Sequence, residues 1–188
     1  LLGSRGLGDV YKRQEFRRFK SEVRSEIDTP MLQKVLPTGT ILKDVWWESF
    51  GDRIRKPEHV MNLKYRNESC HGSPGVTFGR QIGAYPILVG VQYQIPLETK
   101  SNVMITGHGS RSVTAVEVGL DPAKVTENQL ASIPGIGRKN AWALVSARAK
   151  ATSKGKPIHT HQEMFDAADI VPPAMALDVF ENHSTGSQ

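Results

Sequence analysis

The chain of 188 residues holds one cysteine, Cys70. A single thiol excludes an internal disulfide, and it excludes any zinc or iron–sulfur site built from several cysteines of this chain. A reducing cytosol suits such a sequence best, so a cytoplasmic location is expected. No apolar run approaches the ~20 residues of a membrane-crossing helix, and no membrane partner is expected. The start lacks the apolar core of ~7–15 residues that a signal peptide needs. Aromatic residues make up 7% of the chain and hydrophobic ones 38%, against 23% charged. That balance describes a soluble globular polypeptide, long enough for one ordinary domain or two small ones. No nucleophile, base and orienter fall together in one segment, nor do paired carboxylates, and no catalytic residue is expected. Acid is also missing locally: from residue 128 to 162 there is no Asp or Glu, while Arg138, Lys139, Arg148, Lys150, Lys154 and Lys156 are basic. A stretch of one sign suits a polyphosphate partner.

That acid-free stretch contains the best-defined pattern in the chain, Leu130 to Arg148. Leu130 and Ile133 share one helical face, Pro134-Gly135 stops that helix, and Ala141, Leu144 and Val145 give a second apolar face at helical spacing. Gly135 and Gly137 suit a turn that demands positive φ, with Ile136 pointing inward between the helices. The amides of Gly135, Gly137 and Arg138 then precede the second helix, where N–H groups and the helix dipole favour an anion. The string Leu-x-x-Ile-Pro-Gly-Ile-Gly-x-x-x-Ala-x-x-Leu-Val resembles the helix-hairpin-helix of DNA repair and recombination proteins. The resemblance implies that Gly135, Ile136, Gly137, Arg138 and Lys139 contact the phosphate backbone of DNA or RNA without reading base sequence. The alternative is a protein-docking module with no nucleic-acid role.

Residues 1–14 have neither period nor capping logic. Gly6-Leu-Gly-Asp-Val-Tyr-Lys-Arg-Gln14 resembles the translation of a sequencing adaptor, and the segment is expected to be disordered. It carries Arg5, Lys12 and Arg13 against Asp9, +2 of the net +5, so the rest of the chain is only modestly basic. Glu15 to Ile27 reads as an amphipathic helix with Phe16, Phe19, Val23 and Ile27 on one side, ended by Asp28-Thr-Pro30. Met31, Leu32, Val35 and Leu36 follow as a short apolar turn. From Thr40 to Val118 the period becomes two, giving candidate strands at Ile41–Ser49, Val60–Tyr65, Val76–Arg80, Ile87–Tyr93, Val103–Thr106 and Ser112–Val118. Trp46 and Trp47 then point to opposite faces, one into the core and one free to stack or to meet a partner. Leu120-Asp121-Pro122 marks a boundary. Beyond the hairpin come a basic linker, a short helix at His161–Ile170, a short turn at Met175–Phe180 around Pro172-Pro173, and a tail from Glu181 expected to be disordered. The expected fold class is α+β, a small β-barrel or sandwich-like module (38–118) followed by a helix-hairpin-helix (119–150) and a tail (151–188).

Several strings are more specific than their secondary structure. Thr77-Phe-Gly-Arg-Gln-Ile-Gly-Ala-Tyr-Pro-Ile-Leu-Val-Gly90, Gly107-His-Gly-Ser-Arg-Ser-Val-Thr-Ala-Val-Glu117, Phe19 to Leu32 and Gly39 to Trp46, in company with the hairpin, resemble the C-terminal third of radical S-adenosylmethionine proteins that end in a helix-hairpin-helix. The resemblance spans roughly residues 15–150, and the better-known members of that family are archaeal. It implies, for the full-length family, a [4Fe–4S] cluster held by a Cys-x3-Cys-x2-Cys loop, with S-adenosylmethionine on the open iron. This chain has no such loop, so no cofactor and no metal are expected in it. Residues 15–37 read as the helical end of a missing radical S-adenosylmethionine barrel, and that missing or separate core is the expected protein partner. Arg80 and Gln81 at a strand end, with His108 and Arg111 around Gly109, are candidates to face a substrate or that core. Cys70 reads as an incidental exposed thiol, and His159 and His161 as too few ligands for a metal.

Overall fold

The computed structural model describes residues 7–51, 70–83 and 86–181, with side chains from residue 12 to 180. The candidate strand Val60–Tyr65, the opening residues of the adaptor-like segment and the chain end from 182 lie outside them. Helix α1 (Leu7–Val23), a π-helical turn (Arg24–Asp28) and α2 (Thr29–Val35) lead into strands β1 (Ile41–Phe50), β2 (Pro74–Gln81), β3 (Leu88–Tyr93), β4 (Lys100–His108) and β5 (Ser112–Glu117). Helices α3 (Glu127–Ala131), α4 (Gly137–Ser153), α5 (His161–Ala168) and α6 (Ala174–Glu181) follow. Helix α1 thus begins inside the stretch expected to be disordered.

The five strands close a barrel in the order β1-β2-β3-β5-β4. All pairs are antiparallel except β3 with β5, which is parallel. Closure depends on β1 reaching two neighbours. Its inward residues Leu42, Val45 and Trp47 are spaced by three and then two, because the register shifts between Leu42 and Val45. Asp44 takes the extra position at φ +53°, a region that Asp tolerates better than most residues. Its amide donates to Asn102 Oδ1 at 3.1 Å, so the bulge leaves no donor stranded there. Past the bulge, β2 crosses β1 so closely that a Cβ on Gly79 would lie 2.4 Å from the Trp46 carbonyl oxygen. Trp47 is wholly buried, and its indole N–H is satisfied by Ser101 Oγ at 2.8 Å.

The helices after the barrel are cut by recognisable signals. Thr126 and Gln129 form a capping box at the start of α3, and Thr160 and Glu163 form another at α5. Asp169, left-handed at φ +54°, ends α5. Leu130, Ile133, Leu144, Met164, Phe165 and Val179 belong to one hydrophobic cluster with the barrel residues Val45, Val89, Ile105 and Val116. Arg148 Nη1 donates to the carbonyls of Pro122 and Val125 at 2.9 and 2.8 Å, and Gly119 N–H donates to Val179 O at 2.7 Å.

The expected fold class is corrected on these findings. The strands form a closed barrel and not a sandwich, and among the described residues no separate helix-hairpin-helix follows it. Helix α3 is five residues long, little more than one turn, and α3 to α6 pack as a group into the barrel's own core. Cys70 is also corrected: it is 5% exposed, not a surface thiol.

Candidate nucleic-acid interface

The turn between α3 and α4 places the five residues singled out there in three different environments. Gly135 and Gly137 have φ of +90° and +66°, the left-handed region that glycine enters without steric cost. A Cβ on Gly135 would lie 2.9 Å from Pro173 Cβ, so a side chain there would collide with the chain leading into α6, although Gly135 itself is exposed. Ile136 points inward and is 4% exposed, a core residue unable to meet a ligand. Gly137 has nothing within 4 Å of its would-be Cβ, and Arg138 and Lys139 are exposed. The turn is thus exposed at Pro134 and Gly135 and again from Gly137 to Lys139, and has room for a further atom at Gly137.

Electrostatics distinguish this helix start from those of α3 and α5. Helices α3 and α5 each have a side-chain cap and an acidic residue in the first turn. Helix α4 is 17 residues long, has no side-chain cap and no acid in its first turn, and carries Arg138 and Lys139 there instead. Two cations at the positive end of a helix dipole repel it unless an anion sits between them. The basic character continues along one face, since Lys139, Ala143, Ser146, Lys150 and Lys154 succeed one another at spacings of three and four. Between this face and α5 runs a groove of about 540 Å³, floored by alanines of both helices and edged by Trp142, Lys150, Lys154 and Lys156. Among the described residues that line it, none is acidic. Trp142 is 64% exposed although Ala141 and Leu144 beside it are buried.

The substrate-facing candidates gather near α2: Gln81 and Arg111 line one groove of about 850 Å³, which Leu36 also lines. His108 Nε2 lies 2.6 Å from the Leu36 carbonyl oxygen, and Arg111 Nε lies 3.0 Å from Asp28 Oδ2. Both residues tie the N-terminal helices to the barrel. Arg80 pairs with Glu48 at 3.3 Å. It also flanks Trp46 across the sheet, with Lys100 on the other side, and Trp46 is half-buried beside Gln81 in an open groove. An acid in this groove makes it a weaker anion site than the face of α4. His161 stacks on Phe180 with ring centroids 5.8 Å apart, and the His159 amide donates to Glu163.

A [4Fe–4S] cluster needs three thiolates, and the chain has one buried cysteine, so its residues do not fit the cluster that the resemblance implies. Among the described residues no group of three or more His, Cys, Asp or Glu side chains is placed to hold a metal ion. Likewise no described helix is long and apolar enough to cross a membrane.

The chain is 36% identical over 128 residues to an uncharacterized protein of Archaeoglobus fulgidus, a match covering 68% of this chain and 20% of that protein. It is 35% identical over 113 residues to an uncharacterized protein of Methanocaldococcus jannaschii, covering 57% of this chain and 17% of that one. The chain thus spans about a fifth of the length of these curated relatives. No family model matches the chain, and no solved structure matches it.

Two features were missed in the sequence. Trp142 carries a signal of its own, a large aromatic residue off the apolar period of its helix. The second is a polar cluster between barrel and helices, for which spacing holds no signal. His71 Nε2 lies 2.7 Å from Glu117 Oε2, and Gln129 Nε2 lies 3.4 Å from the same oxygen. The Glu117 amide donates to the Tyr93 hydroxyl at 2.9 Å. The hydrogen bond to Glu117 raises His71 above its ordinary 6.5 against the opposing effect of partial burial, and the carboxylate charge adds to the rise. Burial foremost, with the charge of Glu117, holds the Tyr93 phenol well above 10.

Proposed function

We propose that this segment is a nucleic-acid-contacting accessory region of a longer protein, one resembling radical S-adenosylmethionine enzymes. It takes the sugar-phosphate backbone of DNA or RNA on the first turn of α4 and the lysines that follow, without reading base sequence. The observation that carries this reading is the start of α4: open at Gly137, without a side-chain cap or an acid, and bearing two exposed cations. The barrel adds support by analogy of fold alone, since five-stranded Greek-key barrels recur as oligonucleotide binders. The length of the relatives leaves room for a catalytic region outside this segment.

A second reading, docking to protein, has its own observation. Phe16, Phe19, Ile27, Met31 and Val35 are all exposed at helical spacing along α1, the π-turn and α2. An apolar stripe of that kind is a surface for another polypeptide.

Titration of labelled oligonucleotides at several salt concentrations separates the two. The first reading expects dissociation constants of about 10⁻⁴ to 10⁻⁶ M at physiological salt, little dependence on sequence, and a log–log salt slope that flattens by about two units in the Arg138→Ala/Lys139→Ala protein. Absence of binding, or binding indifferent to salt and to both substitutions, overturns it.

A further inference from the structure

Resting on that reading, we propose that the groove between α4 and α5 selects single-stranded nucleic acid. An unpaired base stacks on Trp142, and the adjoining phosphates lie along Lys150, Lys154 and Lys156. Three properties of the groove lead there. Its aromatic edge is displayed, not packed: Trp142 is 64% exposed on the side of α4 that turns away from the core, where burial cannot account for a residue of that size. Its floor is built of alanines, Ala143, Ala147 and Ala151 from one helix with Ala167 and Ala168 from the other, which leaves about 540 Å³ beside the indole. Its charge is of one sign, with three lysines and no acid among the lining residues.

Each property removes a class of ligand. The lysines disfavour a cationic or purely apolar occupant, and an apolar helix seated on the alanine floor would force lysine side chains out of its path at a cost in entropy. Phosphate alone leaves the indole without a role. A duplex presents phosphates but keeps its base faces stacked internally, so it uses the lysines and not Trp142. A single strand offers both a base face and a phosphate in each nucleotide, and an aromatic platform beside a basic track is the arrangement that binds it with little sequence preference. The first turn of α4 and the groove lie along the same helix. One strand can therefore run from Lys139 past Trp142 to Lys154, a rise of about 22 Å over 15 residues.

The test uses the whole chain with a single-stranded oligothymidylate or oligouridylate, a duplex of the same length, and polyglutamate, following anisotropy of the labelled strand and tryptophan emission. Tighter binding of the single strand than of the duplex is expected, with quenching by the single strand that disappears in Trp142→Ala. That substitution should weaken single-strand binding by about ten-fold or more, Trp142→Phe should retain most of it, and duplex binding should barely change. Lys150→Ala/Lys154→Ala should flatten the salt slope of the single strand by about two units. Equal affinity for duplex and single strand, with Trp142→Ala unchanged in both, overturns the inference and leaves the proposed function standing. Quenching by polyglutamate as strong as by oligonucleotide also overturns it and makes the groove an acidic-peptide site. Failure of every nucleic acid to bind removes both readings together. Thermal melts of the variants check that each is folded.

Discussion

His71 precedes β2, and the carboxylate that it meets, Glu117, ends β5 and is only 6% exposed. A proton on His71 is therefore held more firmly in the folded chain than in the unfolded one, where the ordinary value of 6.5 applies. The stabilisation is complete below about 6.5 and is lost as pH rises through the higher folded value. Urea denaturation from pH 5.5 upward should show a midpoint that falls over this range, and His71→Gln should flatten the fall; an unchanged profile in the variant would assign the dependence elsewhere. The tryptophan pair is a case in which single residues were legible. Period two sets Trp46 and Trp47 on opposite faces, and the structure buries Trp47 while leaving Trp46 partly open. His108 and Arg111 were not legible, because their partners Leu36 and Asp28 lie 72 and 83 residues away in sequence and no local spacing encodes such contacts.

Helix α4 has two faces that should answer differently to truncation. Leu144 is fully buried in the shared core, so Leu144→Ala should cost about 2–5 kcal/mol through lost transfer energy and the cavity left behind. Trp142→Ala, on the exposed face, should change stability by no more than about 0.5 kcal/mol. Chemical denaturation of the two variants checks the contrast, and a comparable loss in both would mean that Trp142 is packed in solution. The inner face of α4 was readable from Ala141 and Leu144 because helical spacing is a local signal. Five of the candidate strands were readable for the same reason, and the sixth lies outside the described residues. Whether the strands would close a barrel or stack as a sandwich was not readable. That choice turns on β1 pairing with both β2 and β4, and on a bulge at Asp44 whose sequence looks like an ordinary strand. The motif at Leu130 to Arg148 misled for a related reason. Its spacing reports the turn and the glycines faithfully, but says nothing of the other helices that absorb it into the barrel's core.

For the molecule as a whole, the N-terminal helices divide into a part that is held and a part that is not. Leu32 and Leu36 pack against the core and His108 and Arg111 fasten α2 and the π-turn, whereas Phe16 and Phe19 are exposed. Removing residues 1–23 should leave the melting temperature nearly unchanged and, by removing the exposed Phe16 and Phe19, lower the tendency of copies to associate through that stripe, while removing residues 1–37 should lower the melting temperature measurably by stripping Leu32 and Leu36 from the barrel. Calorimetry and sedimentation of the two truncations test this, and equal melting temperatures would show that α2 adds nothing to the fold. The barrel seam has a further consequence during protein synthesis. Ile41 pairs with Met104, so the first strand to leave the ribosome waits about 60 residues for its second neighbour and for closure, on the order of 3–12 s at typical elongation rates. Through that interval Leu42, Val45 and Trp47 have no interior to enter. The nascent chain should be a client for ribosome-bound chaperones until β5 is out, and slowing translation between Phe50 and Glu117 should lower the yield of native protein.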